Sequence, residues 1–155
     1  MRKNRLSDLL LYVVGAELVG VLSAVVSGGR FGEFYGKLVK PPFSPPGWIF
    51  PIVWAVLYAL MGLSAYKIGV CGDPRNELRV YYAQLAVNFL WSPVFFGLRK
   101  LWWAAAVLTV LIVLVLIMTV LFGKIRRSAA LLNIPYLLWL IYAAYLNFGT
   151  AVLNP

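Results

Sequence analysis

Five long apolar runs dominate the chain, at 9–26, 48–70, 81–98, 101–122 and 129–150. Short segments that are polar or rich in Gly and Pro separate them. A helix needs about 20 mainly apolar residues to cross the hydrocarbon of a bilayer. The pattern therefore predicts an all-α membrane protein. Its single domain, residues 1–155, is a bundle of five transmembrane helices.

The polar residues inside the runs carry the information. In the first run, LLLYVVGAELVGVLSAVV, Ala16, Gly20 and Ala24 lie four apart and share a helix face. Small residues at that spacing let two backbones approach closely. Glu17 is the only acid inside any run. It either hydrogen-bonds within the bundle or marks a functional site, as ionisable groups at such depth often do. In the second run Trp54, Tyr58, Met61 and Ala65 recur at intervals of 4, 3 and 4, which is one helical face. In the third, Tyr81, Gln84, Asn88, Trp91 and Phe95 recur at 3, 4, 3 and 4, with Ser92 beside them. Gln84 and Asn88 serve either as interhelical hydrogen-bonding groups or as contacts for a polar ligand. Pro93 is expected to loosen the local backbone ladder.

The fourth run is apolar all round and reads as the most lipid-exposed wall, with Trp102 and Trp103 as interfacial anchors. The fifth carries Tyr136, Trp139, Ala143 and Leu146 on one face, with Tyr142 beside it, and a bend is expected at Pro135.

The first loop, 27–47, holds four Pro and five Gly residues together with Phe31, Phe34, Tyr35 and Phe43. Each Pro fixes its own φ and pushes its predecessor to extended geometry. With so much apolar mass, the loop is expected to fold down as an ordered cap over an internal pocket. Phe34–Tyr66 is thus the lid and one wall of that pocket.

Composition agrees: 63% of residues are hydrophobic and 12% charged, against roughly a quarter charged in soluble domains. The net charge of +9 raises nucleic acid as a partner. The basic residues, however, sit almost wholly between the runs, where lipid headgroups are their natural partners. Of the 14, nine fall on the N-terminal side (Arg2, Lys3, Arg5, Lys67, Arg75, Arg79, Lys124, Arg126, Arg127) and five on the other (Arg30, Lys37, Lys40, Arg99, Lys100). The positive-inside rule then places the N-terminus in the cytoplasm. Glu17 in the middle of the first run argues against a cleaved signal peptide.

The chain has one Cys, Cys71, and no His. No intramolecular disulfide can form, and a zinc site of the usual kind has almost no ligands. There is no Gly-rich phosphate loop, no Ser–His–Asp set and no pair of carboxylates within the runs, so conventional hydrolysis or proton pumping has no residues to carry it.

KPPFSPPGWIF with VWAVLYALMG, then QLAVNFLWSPVFF, then PYLLWLIYAAYLN, together with the Ala16–Glu17 pair and Gly20, resemble the tryptophan-rich sensory protein family. This family is also called the translocator protein or peripheral-type benzodiazepine receptor family. The resemblance runs from Ala16 to Asn147. It implies a five-helix bundle, usually a homodimer, with a pocket under the first loop. It also implies binding of protoporphyrin IX and of isoquinoline- and benzodiazepine-type molecules, and no required cofactor. Some bacterial members are credited with light- and oxygen-dependent degradation of protoporphyrin IX. The tryptophans implicated there match Trp54 and Trp139. The remaining ligand contacts carry over to Tyr35, Pro45, Asn88, Trp91, Phe95, Ala143 and Leu146.

The faces read from spacing alone already contain seven of these nine residues: Trp54, Asn88, Trp91, Phe95, Trp139, Ala143 and Leu146. An apolar, aromatic-lined pocket suits a flat macrocycle. Lack of His removes the commonest axial ligand for haem iron and favours metal-free porphyrin, or haem held weakly. The sterol pattern proposed for eukaryotic members is incomplete, because no Lys or Arg follows Arg127. Porphyrin receptor, porphyrin-degrading enzyme, and transporter of porphyrins or lipids are the three functional readings. No internal repeat of the secondary-transporter kind is visible to favour the last.

Overall fold

The computed structural model describes residues 5–29 and 31–155. Arg2, Lys3 and Arg30 of the charge count lie outside the described residues. All regular structure among the described residues is helical. The helices are α1 (Arg5–Val26), α2 (Phe31–Lys37), α3 (Ile49–Gly69), α4 (Arg75–Ser92), α5 (Leu101–Ile125), α6 (Arg127–Leu132) and α7 (Ile134–Leu153). A π-helical turn, Pro93–Gly97, continues α4. The packing closes a ring: α1 lies against α3, α3 against α6, α6 and α7 against α5, α5 against α4, and α4 against α1.

Four stretches are long and apolar enough to cross a membrane: α1, α3, α5, and α6 with α7 taken together. The span expected at 81–98 is not among them. The helix there begins earlier, at Arg75, and its first turns carry Glu77 and Arg79 before Gln84 and Asn88. Its polar content is that of a helix whose partners are other helices rather than lipid alone.

Two prolines shape the chain in different ways. Pro93 has no N–H to offer the ladder, and the turn widens there, so that Leu98 N–H donates to the Pro93 carbonyl at 2.8 Å. Pro135 sits in the first turn of α7, where its missing donor costs nothing. The expected bend is therefore a break at Asn133, one residue before α7 begins.

The apolar fifth element also differs from expectation. α5 buries Leu101, Ala104, Leu108, Leu111, Val115, Met118 and Phe122, a complete stripe at alternating three- and four-residue spacing. α1 buries only Ala16 and Ser23. Within the single chain α1, not α5, is the wall least covered by protein.

Close approach of α1 to α3 depends on Gly62 more than on the small residues of α1. A Cβ at 62 would stand 2.6 Å from Val13 Cα and 2.7 Å from the Tyr12 carbonyl oxygen, both backbone atoms that cannot turn aside. At Gly20 the obstacle would be the Tyr58 ring, 2.4 Å away.

Among its described residues the first loop contains a helix, α2, that its Gly content concealed. Tyr142 and Tyr145 donate their hydroxyls to the Phe43 and Pro42 carbonyls at 2.6 and 2.7 Å. The Asn154 side chain pairs with both backbone groups of Val39 at 3.0 and 2.8 Å. Pro41 packs onto Gly149, where a Cβ would meet its ring at 2.8 Å. Within the loop, Tyr35 Oη donates to the Pro45 carbonyl at 2.9 Å. Lys40 Nζ donates to the Tyr35 and Leu38 carbonyls and sits 4.7 Å from the Tyr35 ring centre. The bonds of Tyr142, Tyr145 and Asn154 fasten the loop to the C-terminal half of α7 and the residue after it.

Two outcomes follow. Gly62→Val forces α1 away from α3 and is expected to cost about 1–3 kcal/mol, read as a lower thermal midpoint in detergent. An unchanged midpoint would show that the helices are not in backbone contact there. Burial, and next the neighbouring Tyr142, push the Tyr35 phenol above its ordinary value of about 10, with a Ser44 hydrogen bond opposing. The neutral phenol is the donor to Pro45. Its contribution is therefore whole below about pH 10 and is lost as pH rises through the higher folded value. A phenolate difference titration of wild type against Tyr35→Phe should have its midpoint above pH 10, and a midpoint below that contradicts the half-buried bond.

Candidate functional site

An aromatic-lined cavity of about 260 Å³ lies between α1, α3 and α4, with α2 across one end. α3 contributes Phe50, Trp54 and Tyr58, which follow one another four residues apart along the same face. α4 and the π turn contribute Asn88, Trp91, Ser92 and Phe96, and α2 contributes Phe31 and Tyr35. α1 adds Glu17, Gly20, Ser23 and Ala24. A second, smaller space of about 30 Å³ adjoins it toward α7, bordered by Phe95, Ala143, Leu146 and Asn147. The two share four lining residues: Tyr35, Phe50, Trp91 and Phe96.

The floor of the cavity is a chain of hydrogen bonds. Tyr58 Oη donates to Asn88 Oδ1, and Asn88 Nδ2 donates to Tyr136 Oη at 2.6 Å. Tyr136 Oη donates in turn to Gln84 Oε1 at 2.9 Å, and Gln84 Nε2 reaches Met61 Sδ at 3.6 Å. Gln84 and Asn88 both take part in this chain and so act as the interhelical hydrogen-bonding groups that join α3, α4 and α7. Asn88 nevertheless also borders the cavity.

Above the floor the walls are aromatic. Trp54 lies 5.7 Å from Tyr58, 6.4 Å from Trp91 and 6.2 Å from Tyr136 between ring centres. Trp91 stacks on Phe95 at 5.2 Å, and its indole N–H donates to Asn147 Oδ1 at 3.0 Å. Asn147 Nδ2 donates to the Leu101 carbonyl, so the position of Trp91 is fixed through α7 and α5. On the α1 side, Ser23 Oγ donates to the Phe89 carbonyl at 2.7 Å, and Ser27 and Ser92 share a hydrogen bond of 2.9 Å. Glu17 is the one acid on the cavity wall and has no hydrogen-bond or ion-pair partner among the described residues. No cluster of His, Cys, Asp and Glu able to hold a metal occurs among the described residues.

The residues expected at a site fall into three groups. Tyr35, Trp54, Asn88 and Trp91 line the main cavity. Phe95, Ala143 and Leu146 line the adjoining space, with Tyr35 and Trp91 common to both. Pro45 and Trp139 line neither. Pro45 acts through its carbonyl, as acceptor for Tyr35. Trp139 stands behind Phe50, 5.9 Å between ring centres, and packs on Tyr142 at 5.5 Å. Its indole N–H is buried without a partner among the described residues. Trp54 and Trp139 are thus not in ring contact; Phe50 stands between Trp139 and the cavity.

Sequence reading missed Phe50, although it precedes Trp54 by four residues and so shares its face. It also read the small-residue face of α1 as a packing surface only. Gly20 does pack closely, on Tyr58, but Ala24 and Ser23 border the cavity as well.

The TspO/MBR family model matches residues 11–153. The chain is 38% identical over 151 residues to Protein CrtK of Rhodobacter capsulatus, covering 94% of this chain and 91% of that one. It is 40% identical over 122 residues to the tryptophan-rich sensory protein of Cereibacter sphaeroides, covering 79% and 77%. To the translocator protein of Bos taurus it is 35% identical over 136 residues, covering 84% and 80%. On that match, and with membrane-length apolar helices, the chain is an integral membrane protein that belongs to the TspO/MBR family.

Proposed function

We propose that this protein is a membrane receptor for flat aromatic tetrapyrroles, protoporphyrin IX foremost, and that it also takes isoquinoline- and benzodiazepine-type molecules. In this reading α4 with its π turn is the fifth transmembrane span, α2 and the Pro-rich loop cap the pocket, the N-terminus is cytoplasmic and the protein is a homodimer. The observation that carries the proposal is the cavity between α1, α3 and α4, walled by Phe50, Trp54, Tyr58, Trp91 and Phe96. A large π-system gains area burial and ring–ring contact in such a space, and few polar groups are needed to orient it. The cavity and the smaller space beside it meet at shared side chains rather than at a backbone wall. With Trp91 held by Asn147, turning Phe50 would join them into one slot that reaches Ala143 and Leu146. Phe50 is the side chain that has to move for one ring system to touch both Trp54 and Trp139.

Two measurements test this. Titration of the detergent-solubilised protein with protoporphyrin IX is expected to quench tryptophan emission in the micromolar range, and Trp54→Ala should weaken binding about fivefold or more, as losing an aromatic stack of 1–3 kcal/mol implies. Absence of quenching in wild type removes the receptor reading. Light-dependent degradation of the bound porphyrin, in the presence of oxygen, is the enzymatic extension. It places Trp54 and Trp139 next to the excited macrocycle as redox-active side chains. Under illumination, Trp54→Phe and Trp139→Phe should each slow bleaching of the porphyrin absorbance; equal rates in wild type and both variants leave binding without catalysis.

A further inference from the structure

At the end of the bundle opposite α2 lies a wider recess, about 1090 Å³, between the start of α1, the end of α3 and the start of α4. It shares no lining residue with the tetrapyrrole cavity. Three cations converge on it from separate elements: Arg5 of α1, Lys67 of α3, and Arg126, the extended residue joining α5 to α6. Asp8 is its one acid. None of the three cations forms an ion pair among the described residues. The recess therefore carries uncompensated positive charge.

Its remaining walls are amphipathic. Tyr12, Tyr66 and Tyr82 bring phenols to the recess, and Leu63 and Leu85 bring apolar surface. The tyrosines are packed: Tyr12 lies 6.5 Å from both Tyr66 and Tyr81 between ring centres. Gly69 makes room for this, since a Cβ there would stand 2.6 Å from Tyr12 Oη. Leu11, at the edge of the recess, is 72% exposed on the helix that the chain covers least. Charge, phenols and an apolar wall opening beside a lipid-facing helix describe the interface region of a bilayer.

We propose that this recess binds an anionic phospholipid, its phosphate held by Arg5, Lys67 and Arg126 and its upper acyl chains lying against Leu63, Leu85 and the exposed face of α1. The space is far larger than a phosphate ion needs, and its apolar wall is of use only to a ligand with chains. The tyrosine hydroxyls suit the ester and glycerol oxygens between the two.

The test is native mass spectrometry of the full chain in detergent, titrated with phosphatidylglycerol or with phosphatidylcholine. Phosphatidylglycerol is expected to bind at least tenfold more tightly. Lys67→Gln combined with Arg126→Gln should weaken it about 25-fold, from about fivefold per basic residue near a membrane surface. Lys124→Gln combined with Arg127→Gln removes the same charge from the same end, outside the recess, and should leave it unchanged. The charge-retaining pair Lys67→Arg and Arg126→Lys should also bind and guards against a folding artefact. Equal affinity for the two lipids, or equal loss in both neutralised pairs, overturns the proposal in favour of diffuse surface charge. Displacement of phosphatidylglycerol by millimolar inorganic phosphate overturns it in favour of a free-anion site. Tryptophan quenching by protoporphyrin IX, read on the same neutralised proteins, reports on the other cavity, so failure of either site is visible apart from the other.

Discussion

Asn88 is the residue on which most of this structure turns. An unpaired amide in an apolar interior costs several kcal/mol, so α4 can take only those rotations and heights that keep both ends of its side chain bonded. Here one end accepts from Tyr58 of α3 and the other donates to Tyr136 of α7. Gln84, one turn earlier, accepts the hydrogen bond of the Tyr136 hydroxyl through Oε1 and so fixes the direction of the whole chain of bonds. Each such bond inside a membrane protein contributes only about 0.6 kcal/mol on average. What the network supplies is uniqueness: a slide of α4 by one turn would strand four polar groups at once.

That constraint propagates to the site. With Asn88 fixed, Trp91 emerges three residues later on the same face, opposite Trp54, and Asn147 holds its indole. The wall made by α3 and α4 is therefore stiff. The α1 wall is another matter. It is joined to α4 by the bonds of Ser23 and Ser27 and to α3 by backbone contact at Gly62, while most of its surface has no protein against it. A ligand space bounded by one stiff wall and one sparsely covered wall has a defined shape on one side and some adaptability on the other, which suits a pocket that takes more than one aromatic ligand.

Much of this was legible in the sequence, for a physical reason. Lipid leaves only long apolar runs and buried polar exceptions, and both are easy to see. Trp54, Asn88 and Trp91 were found because polar and aromatic side chains stand out against Leu and Val at helical spacing. The same contrast explains the failures. α5 has no polar residue to mark its inner face, so its buried stripe from Leu101 to Phe122 was invisible and it was read as a lipid wall. α2 is a seven-residue helix with two glycines, shorter than any periodicity that could announce it. The start of α4 was placed six residues too late because Arg75, Glu77 and Arg79 look like a loop until their helix is seen.

Trp139 shows where spacing stops being informative. Its face was identified correctly, since Ala143 and Leu146 of that face do border the smaller space. Its contact with the cavity was not, because a periodic pattern says which way a side chain points and nothing of what stands in front of it. Phe50 stands there, from the first turn of another helix, held between Trp139 and Tyr35. Its position depends on the Pro-rich loop, whose bonds to α7 bring Tyr35 against it. The loop therefore acts on the cavity through Tyr35. By setting Tyr35 it sets Phe50, and Phe50 decides whether α7's tryptophan belongs to the same site as α3's.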